Sequence, residues 1–154
     1  MIDDFAVAVP NFVQHFHPTT QFLDWWAEYV ADRFVIEVGA GCCHFTKSMH
    51  THGIKALAIE PRANSDVRME CALFLLPWSV QQAPILQATP AVVVVARPDH
   101  SGWVSEVPDL IHPESEFIYI GLPKNFNIDI DTLDYSILYQ GIVGEDGEQV
   151  LRLR

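Results

Sequence analysis

Two glutamates and two glycines between residues 34 and 61 have the spacing of a nucleoside-binding site. Glu37 lies two residues before Gly39, and Glu60 lies 19 residues after Gly41. Glycine lets the backbone turn tightly and approach a ligand closely, and a helix that starts there offers unpaired N–H groups. A carboxylate at the tip of a neighbouring strand can accept the hydroxyl hydrogens of a ribose. The pattern therefore predicts a nucleoside pocket at this turn.

Hydrophobic patterning predicts the elements that hold these residues in place. Residues 34–38 and 54–59 are short and mainly apolar, which is typical of strands buried in a parallel sheet. Residues 42–52 can form a helix that ends at Gly53. This strand–turn–helix–strand unit places both glutamates at the carboxyl ends of neighbouring strands, the edge at which open α/β sheets bind ligands.

The rest of the chain continues the alternation of strands and helices. Helices are expected at residues 20–32, capped by Thr19 or Thr20, and at 62–70, 79–87 and 101–111, with Pro84 and Pro108 interrupting the last two. Strands are expected at 71–76, 91–96, 117–121, 135–139 and 149–154, the last two around a turn at 144–147. We therefore predict one α/β domain over residues 1–154, with an irregular segment at 1–18. Its architecture is a three-layer Rossmann-like, mostly parallel sheet that ends in a C-terminal antiparallel hairpin.

The details of the turn favour one class of nucleoside over another. The dinucleotide fingerprint Gly-x-Gly-x-x-Gly would need a glycine where His44 stands. A carboxylate at Glu37 would repel a pyrophosphate but attract the ammonium group of an amino acid. A nicotinamide-dependent reductase is the weaker hypothesis also because Tyr135 is followed four residues later by Tyr139, and not by the lysine of a Tyr-x-x-x-Lys pair.

Residues 37–43 read EVGAGCC and resemble the first motif of the class I S-adenosylmethionine (SAM)-dependent methyltransferases. That motif is an acidic residue, any residue, and then Gly-x-Gly-x-Gly, so the likeness fails at Cys43, where the family has a third glycine. Residues 59–61 read Ile-Glu-Pro and resemble the second motif, an acidic residue that ends the second strand. The chain resembles a short and degenerate member of this family.

The resemblance implies SAM as the cofactor and gives the turn residues their roles. It implies that Glu60 holds the ribose of SAM and that Pro61 lies near the adenine. The methionine part is held by the turn and the acid before it: Glu37, Gly39, Ala40 and Gly41. The implied activity is methyl transfer to an acceptor, either a small molecule or a protein, that the sequence does not identify.

Motifs further along the chain resemble the family less. Residues 76–78 read Leu-Pro-Trp where the family often has Leu-Pro-Phe, but residues 71–75 lack the acidic residue that usually precedes it. Residues 96–100 occupy the place of the acceptor loop. Its candidate catalytic residues are Asp99, to orient an acceptor, and His100, to act as a general base near neutral pH. Trp103 could stack on a planar acceptor, or it could simply anchor an exposed polar loop.

Cysteines and histidines cluster around the start of the predicted helix, at Cys42, Cys43, His44, His50 and His52. Thiolates and imidazoles suit zinc, but adjacent cysteines point in different directions, and residues two apart do not share a helix face. We therefore expect no metal site, and we expect the side chain of Cys43 to fill the space of the missing glycine. A reactive thiol is the alternative, because a helix start lowers a thiol pKa.

Charge and composition narrow the classes of partner. The chain carries 20 acidic and 9 basic residues, a net charge of −11, which disfavours nucleic acid because affinity for phosphate backbones comes from lysine and arginine. The N-terminal residues are acidic where a signal peptide is positively charged, and apolar runs such as 91–96 are too short to cross a membrane. Three cysteines, two of them adjacent, give no disulfide framework, so we expect a cytoplasmic protein.

Two functional hypotheses remain open. The first is a small SAM-dependent methyltransferase. The second is a degenerate methyltransferase-like module that binds a nucleoside or a partner without catalysis, because the family's third glycine and adenine-side acid are missing. A second copy of the chain could complete the substrate side, so a homo-oligomer is a candidate state.

Overall fold

A seven-stranded sheet forms the centre of the computed structural model, which describes residues 16–41, 43–61, 75–98, 103–122 and 134–153. In chain order the strands are β1 Val35–Val38, β2 Ala56–Ile59, β3 Leu75–Leu76, β4 Val92–Ala96, β5 Glu116–Gly121, β6 Tyr135–Tyr139 and β7 Gln149–Leu153. Their order across the sheet is β3-β2-β1-β4-β5-β7-β6. The first five are parallel, whereas β7 runs antiparallel to β5 and β6 antiparallel to β7. The predicted mostly parallel sheet with a C-terminal antiparallel hairpin is confirmed.

Four α-helices in the described residues flank this sheet: α1 Thr20–Val30, α2 His44–Thr51, α3 Pro84–Ala88 and α4 Val107–Leu110. The predicted cap of α1 is confirmed, since the side-chain oxygen of Thr19 accepts a hydrogen bond of 3.1 Å from the backbone N–H of Phe22. None of the helices in the described ranges has the length and apolarity that a membrane span requires.

The helical stretch predicted at 79–87 is interrupted next to Pro84, as expected, whereas the break predicted at Pro108 was wrong. Pro84 is the first residue of α3, and Pro108 lies in the first turn of α4, each after a short 3₁₀ segment, Val80–Gln82 and Trp103–Glu106. A proline is tolerated in a first turn because the N–H it lacks would have no partner within the helix. The predicted helix at 62–70 and strand residues 71–74 lie outside the described residues.

Two apolar layers pack on opposite faces of the sheet. Successive side chains of a strand point to opposite faces, and the four valines of β4, residues 92–95, alternate between the two layers. One layer is completed by α1 and α2, through Phe22, Trp26, Phe45 and Met49. The other is completed by residues of α3, α4 and the 3₁₀ segments. Burial on both faces explains why β4 is apolar along its whole length, as the sequence predicts.

The C-terminal hairpin also holds the segment that leads into α1. Pro18 forms a β-bridge with Gly144, and the N–H of Thr19 donates to the carbonyl of Val143 at 2.9 Å. The Thr19 hydroxyl donates to the carbonyl of Ile142 at 2.6 Å. The segment before α1 is therefore held by the turn before β7. Arg97, which follows β4, contacts Asp146 of the same turn, so this junction lies next to the carboxyl end of β4.

Candidate functional site

The turn after β1 uses the left-handed backbone region three times. Gly39 has φ +64°, Gly41 has φ +60°, and Cys43, immediately before α2, has φ +75°. The left-handed region costs a non-glycine residue about 1–2 kcal/mol. Cys43 thus keeps the backbone conformation typical of glycine at the position where the resembled family has one. At this position the chain differs from the motif in its side chain, whereas its φ angle is one that glycine adopts.

Two side chains of the turn pack beneath it. Ala40 and Cys43 are buried against Ala58 of β2, next to Leu75. Cys43 is disulfide-bonded, a bond that the sequence analysis did not predict when it expected no disulfide framework. The other two cysteines, Cys42 and Cys71, lie outside the described residues.

Glu60 holds the turn from the end of β2. Its Oε1 accepts a hydrogen bond of 2.7 Å from the backbone N–H of Gly41, and only 2% of the residue is exposed. The backbone repeats the link, because the N–H of Ala40 donates to the carbonyl of Ile59 at 3.1 Å. The predicted ribose-binding acid therefore also orders the loop. Pro61, which follows it, is exposed.

Glu37 binds the first turn of α2. Its Oε1 accepts a hydrogen bond from the N–H of Thr46 at 3.1 Å and another from the Thr46 hydroxyl at 2.7 Å. Burial raises the pKa of Glu37 to about 8, although the two hydrogen bonds from Thr46 oppose the shift, and the charge of Glu60 raises it further. The two carboxyl groups thus act on each other across the turn, and Glu37 is mostly protonated at neutral pH.

Thr46 is a site residue that the sequence analysis missed. It is fully buried, and its backbone and side chain both bind Glu37. The signal in the sequence was a hydroxyl residue in the first turn of a helix, in range of an acid at the end of the preceding strand. Such a residue is common in helix starts, so this signal is weak without the fold.

Trp103 lies against the turn on its other side. A Cβ built on Gly39 would overlap Cη2 and Cζ2 of the Trp103 indole. Trp103 is partly buried and packs on the apolar layer that includes Ile36 and Val38 of β1. Gly39 is therefore required twice, for its positive φ and for the approach of this ring. The sequence predicted Trp103 at the mouth of the sheet but not its contact with the turn.

The predicted catalytic residues, Asp99 and His100, lie outside the described residues, so their roles stay predictions. Among the described residues before them is Arg97, which directly follows β4. Its Nη1 is 2.8 Å from Oδ2 of Asp146 and 3.4 Å from Oε2 of the buried Glu148. These partners lie in the hairpin turn, which the sequence did not connect with β4.

The histidines of α2 do not meet one another. His44 Nε2 is 3.1 Å from Nδ1 of His17, His50 Nε2 is 2.8 Å from the carbonyl of Ala56, and His52 Nε2 is 2.8 Å from Oδ1 of Asp24. Across the described part of the chain, no three metal-binding side chains of His, Cys, Asp or Glu come together.

No protein-family model matches this sequence, and no curated protein matches it. Solved structures match its fold. A variant of MtNAS in complex with SAM is 12% identical, with a TM-score of 0.53 over 86% of this chain and 60% of that one. The 1,6-didemethyltoxoflavin-N1-methyltransferase of Burkholderia thailandensis, solved with 1,6-didemethyltoxoflavin and S-adenosylhomocysteine, is 10% identical, with a TM-score of 0.52 over 98% and 84%.

A third match is an assigned type II methyltransferase from Anaeromyxobacter dehalogenans, which is 12% identical with a TM-score of 0.50. It aligns with 70% of this chain, which spans only 50% of the length of that protein. At such identities the likeness concerns the fold. The chain therefore has a methyltransferase-like α/β fold.

Proposed function

We propose that the protein binds SAM at the carboxyl ends of β1 and β2 and transfers its methyl group to an acceptor. The observation that carries the proposal is that Glu37 and Glu60 lie at the ends of two neighbouring parallel strands and flank one glycine turn, whose Gly41 N–H donates to Glu60. The fold adds support, because the matched structures include one with SAM and one with S-adenosylhomocysteine.

The chemistry of the donor set fits such a ligand. Glu60 is an acceptor for ribose hydroxyls at the end of β2, and Gly39, Ala40 and Gly41 offer backbone close to the methionine part. Glu37 is mostly protonated at neutral pH and is bound by Thr46, so its expected attraction for an ammonium group would require it to ionise when the ligand binds. Pro61, at the exposed end of β2, is assigned to the adenine side.

When bound, SAM supplies a methyl group on a positively charged sulfur. The lone pair of an acceptor oxygen, nitrogen or carbon forms the new bond as the sulfur–methyl bond breaks, and the acceptor loses a proton if it carried one. The protein's contribution is to position both reactants and to exclude water. Asp99 or His100 is assigned to take that proton.

Calorimetric titration with SAM and S-adenosylhomocysteine tests the proposal. Glu60→Gln is the sharp variant, because the amide oxygen can still accept from the Gly41 N–H while the negative charge is lost. Loss of one charged acceptor should weaken binding about tenfold or more. Glu28→Gln, at an exposed glutamate of α1, is the matched control and should bind like the wild type. Absence of binding by either compound at millimolar concentration would contradict the proposal.

A second candidate function is a module that binds a nucleoside without catalysis. Two observations favour it: the disulfide-bonded Cys43 at the third-glycine position, and the Trp103 ring against Gly39. Incubation of the protein with methyl-labelled SAM and an extract of its own cells separates the two candidates. Label transferred in the wild type and lost in Glu60→Gln supports the transferase, whereas binding without transferred label supports the module.

A further inference from the structure

The indole of Trp103 packs directly against the glycine turn after β1. Its Cη2 and Cζ2 lie where a Cβ on Gly39 would be, so the ring is in direct contact with the backbone of the turn. Gly39 belongs to the turn that is proposed to hold the methionine part of SAM. Contact between indole and Gly39 therefore competes with contact between ligand and Gly39 on that side of the turn.

Trp103 is less buried than the valines that follow it in the chain. Val104 and Val107, which follow it, are fully buried and anchor this segment to the sheet. Trp103 itself is only partly buried, at the edge of the same apolar layer. The backbone of the segment is thus fixed by its neighbours, whereas the indole of Trp103 is less completely buried than they are.

We propose that Trp103 is a displaceable cover of the cofactor site, whose indole leaves Gly39 when a ligand with an adenosyl group binds. This inference rests on the proposed function. A site that is open in only a fraction of molecules binds its ligand more weakly by that fraction. Trp103 therefore lowers the apparent affinity of the protein for its cofactor and makes the departure of the ring part of binding.

The alternative to a displaceable cover is an indole that stays in place and forms a fixed wall of the cofactor site. If the indole stayed in place and stacked on the ligand, its removal would cost affinity, because stacking on an aromatic ring is favourable. If the indole covers the site, its removal increases affinity. The sign of the change on truncation therefore separates the two arrangements.

The test is calorimetric titration of S-adenosylhomocysteine into the wild type, Trp103→Ala and Trp103→Phe. We expect Trp103→Ala to bind about fivefold or more tightly than the wild type, and Trp103→Phe to lie between them. Leu110→Ala is the matched control, because Leu110 packs on the same apolar layer from α4. Unchanged affinity in Leu110→Ala would show that a general loosening of this layer is not the cause.

A second measurement follows the ring itself. The wild type has tryptophans at positions 25, 26, 78 and 103. Addition of S-adenosylhomocysteine should change the tryptophan emission of the wild type more than that of Trp103→Phe, because the contribution of Trp103 is absent from the variant. If Trp103→Ala does not fold, the sign of the affinity change in Trp103→Phe separates the cover from the wall, and the emission shows that the surroundings of the ring change on binding.

The outcomes are distinct. Equal or weaker binding by a folded Trp103→Ala, or equal emission changes in the wild type and Trp103→Phe, overturns the cover and leaves SAM binding intact. Absence of binding by every variant overturns the proposed function, and the cover with it.

Discussion

Glu37 is a buried acid whose ionised form the fold disfavours. Its pKa is raised to about 8, so between pH about 4 and about 8 the folded protein keeps a proton that the unfolded chain releases. Stability therefore falls as the pH rises through this window. In Glu37→Gln the amide oxygen still accepts both hydrogen bonds from Thr46, and no charge is buried.

We expect Glu37→Gln to raise the free energy of unfolding by about 2–4 kcal/mol at pH 9 and to change it little at pH 4. Urea unfolding at the two pH values measures this. Glu28→Gln, at an exposed position on the same chain, should change neither value. A variant less stable than the wild type at pH 9 would mean that the carboxyl is not desolvated as described.

Gly39 allows a prediction that separates conformational cost from contact. Gly39→Ala introduces a Cβ at φ +64° that overlaps the Trp103 indole, whereas Gly53→Ala introduces one at φ +79° with nothing within 4 Å. Both pay the cost of positive φ, about 1 kcal/mol, but only Gly39→Ala must also move the ring. We expect Gly39→Ala to be the more destabilising by about 1–2 kcal/mol in thermal or urea unfolding.

The same change in a Trp103→Ala background checks the cause. There the overlap is gone, so Gly39→Ala should cost no more than Gly53→Ala does. An equal penalty for Gly39→Ala with and without the indole would show that the contact does not matter. Such coupling is what a double-mutant cycle measures for residues in contact.

The sequence predicts where the site residues lie better than it predicts what they touch. Glu37 and Glu60 follow buried strands, and this pattern suffices to put both at one edge of a parallel sheet. Local spacing does not reveal that Thr46 binds Glu37 or that Trp103 contacts Gly39. The contact between Trp103 and Gly39 depends on the neighbouring positions of β1 and β4 in the sheet. Contacts of that kind require the order of the strands.

At the scale of elements, the hairpin turn before β7 is tied to the end of β4. Arg97 has φ +50° and an 11% exposed side chain, and it pairs with Asp146 and with the buried Glu148. The backbone N–H of Asp146 also donates to Oε1 of Glu148 at 3.1 Å. These contacts stabilise a strained residue near the start of the predicted acceptor loop.

We expect Glu148→Gln to destabilise the protein by about 1–3 kcal/mol, because a buried arginine loses one charged partner while keeping another. Glu145→Gln, at an exposed residue of the same turn, is the matched control and should have little effect. Thermal unfolding of the two variants measures the difference. If both unfold at the temperature of the wild type, the ion pair at Glu148 contributes nothing to holding β4 and the hairpin together.

Element predictions succeeded where the pattern was long or uniform. The all-apolar β4 and the alternating strands of the hairpin were located to within one residue of their observed bounds. The segment around Pro108 was misjudged, because a proline that breaks a long helix can equally begin a short one, and the decision depends on packing against the sheet.

At the scale of the whole molecule, a polar cluster joins α1 to β5 and β7. Glu116 accepts a hydrogen bond of 2.7 Å from the Tyr29 hydroxyl and forms ion pairs with Arg33 and Arg152. Burial would raise the pKa of Glu116, but the hydrogen bonds from Tyr29 and Arg33 and the charge of Arg33 outweigh it and lower the pKa. Its stabilising effect is therefore complete above the ordinary carboxyl pKa, about 4.3, and is lost as the pH falls through the lower folded value.

Glu37 and Glu116 act on stability in opposite pH ranges, and together they predict the shape of the pH profile. Glu37 makes the fold less stable as the pH rises from about 4 to about 8, and self-repulsion of a chain with net charge −11 at pH 7 adds to this loss. Glu116 makes the fold less stable as the pH falls below about 4.

We expect the melting temperature, measured from pH 3 to pH 9, to be highest between pH about 4 and about 6. Glu37→Gln should flatten only the alkaline side and Glu116→Gln only the acid side. A wild-type maximum above pH 8 would contradict the assignment of Glu37. A variant that flattens the opposite side would contradict the assignment of the carboxyl that it removes, because that linkage could not then have the sign derived from its surroundings.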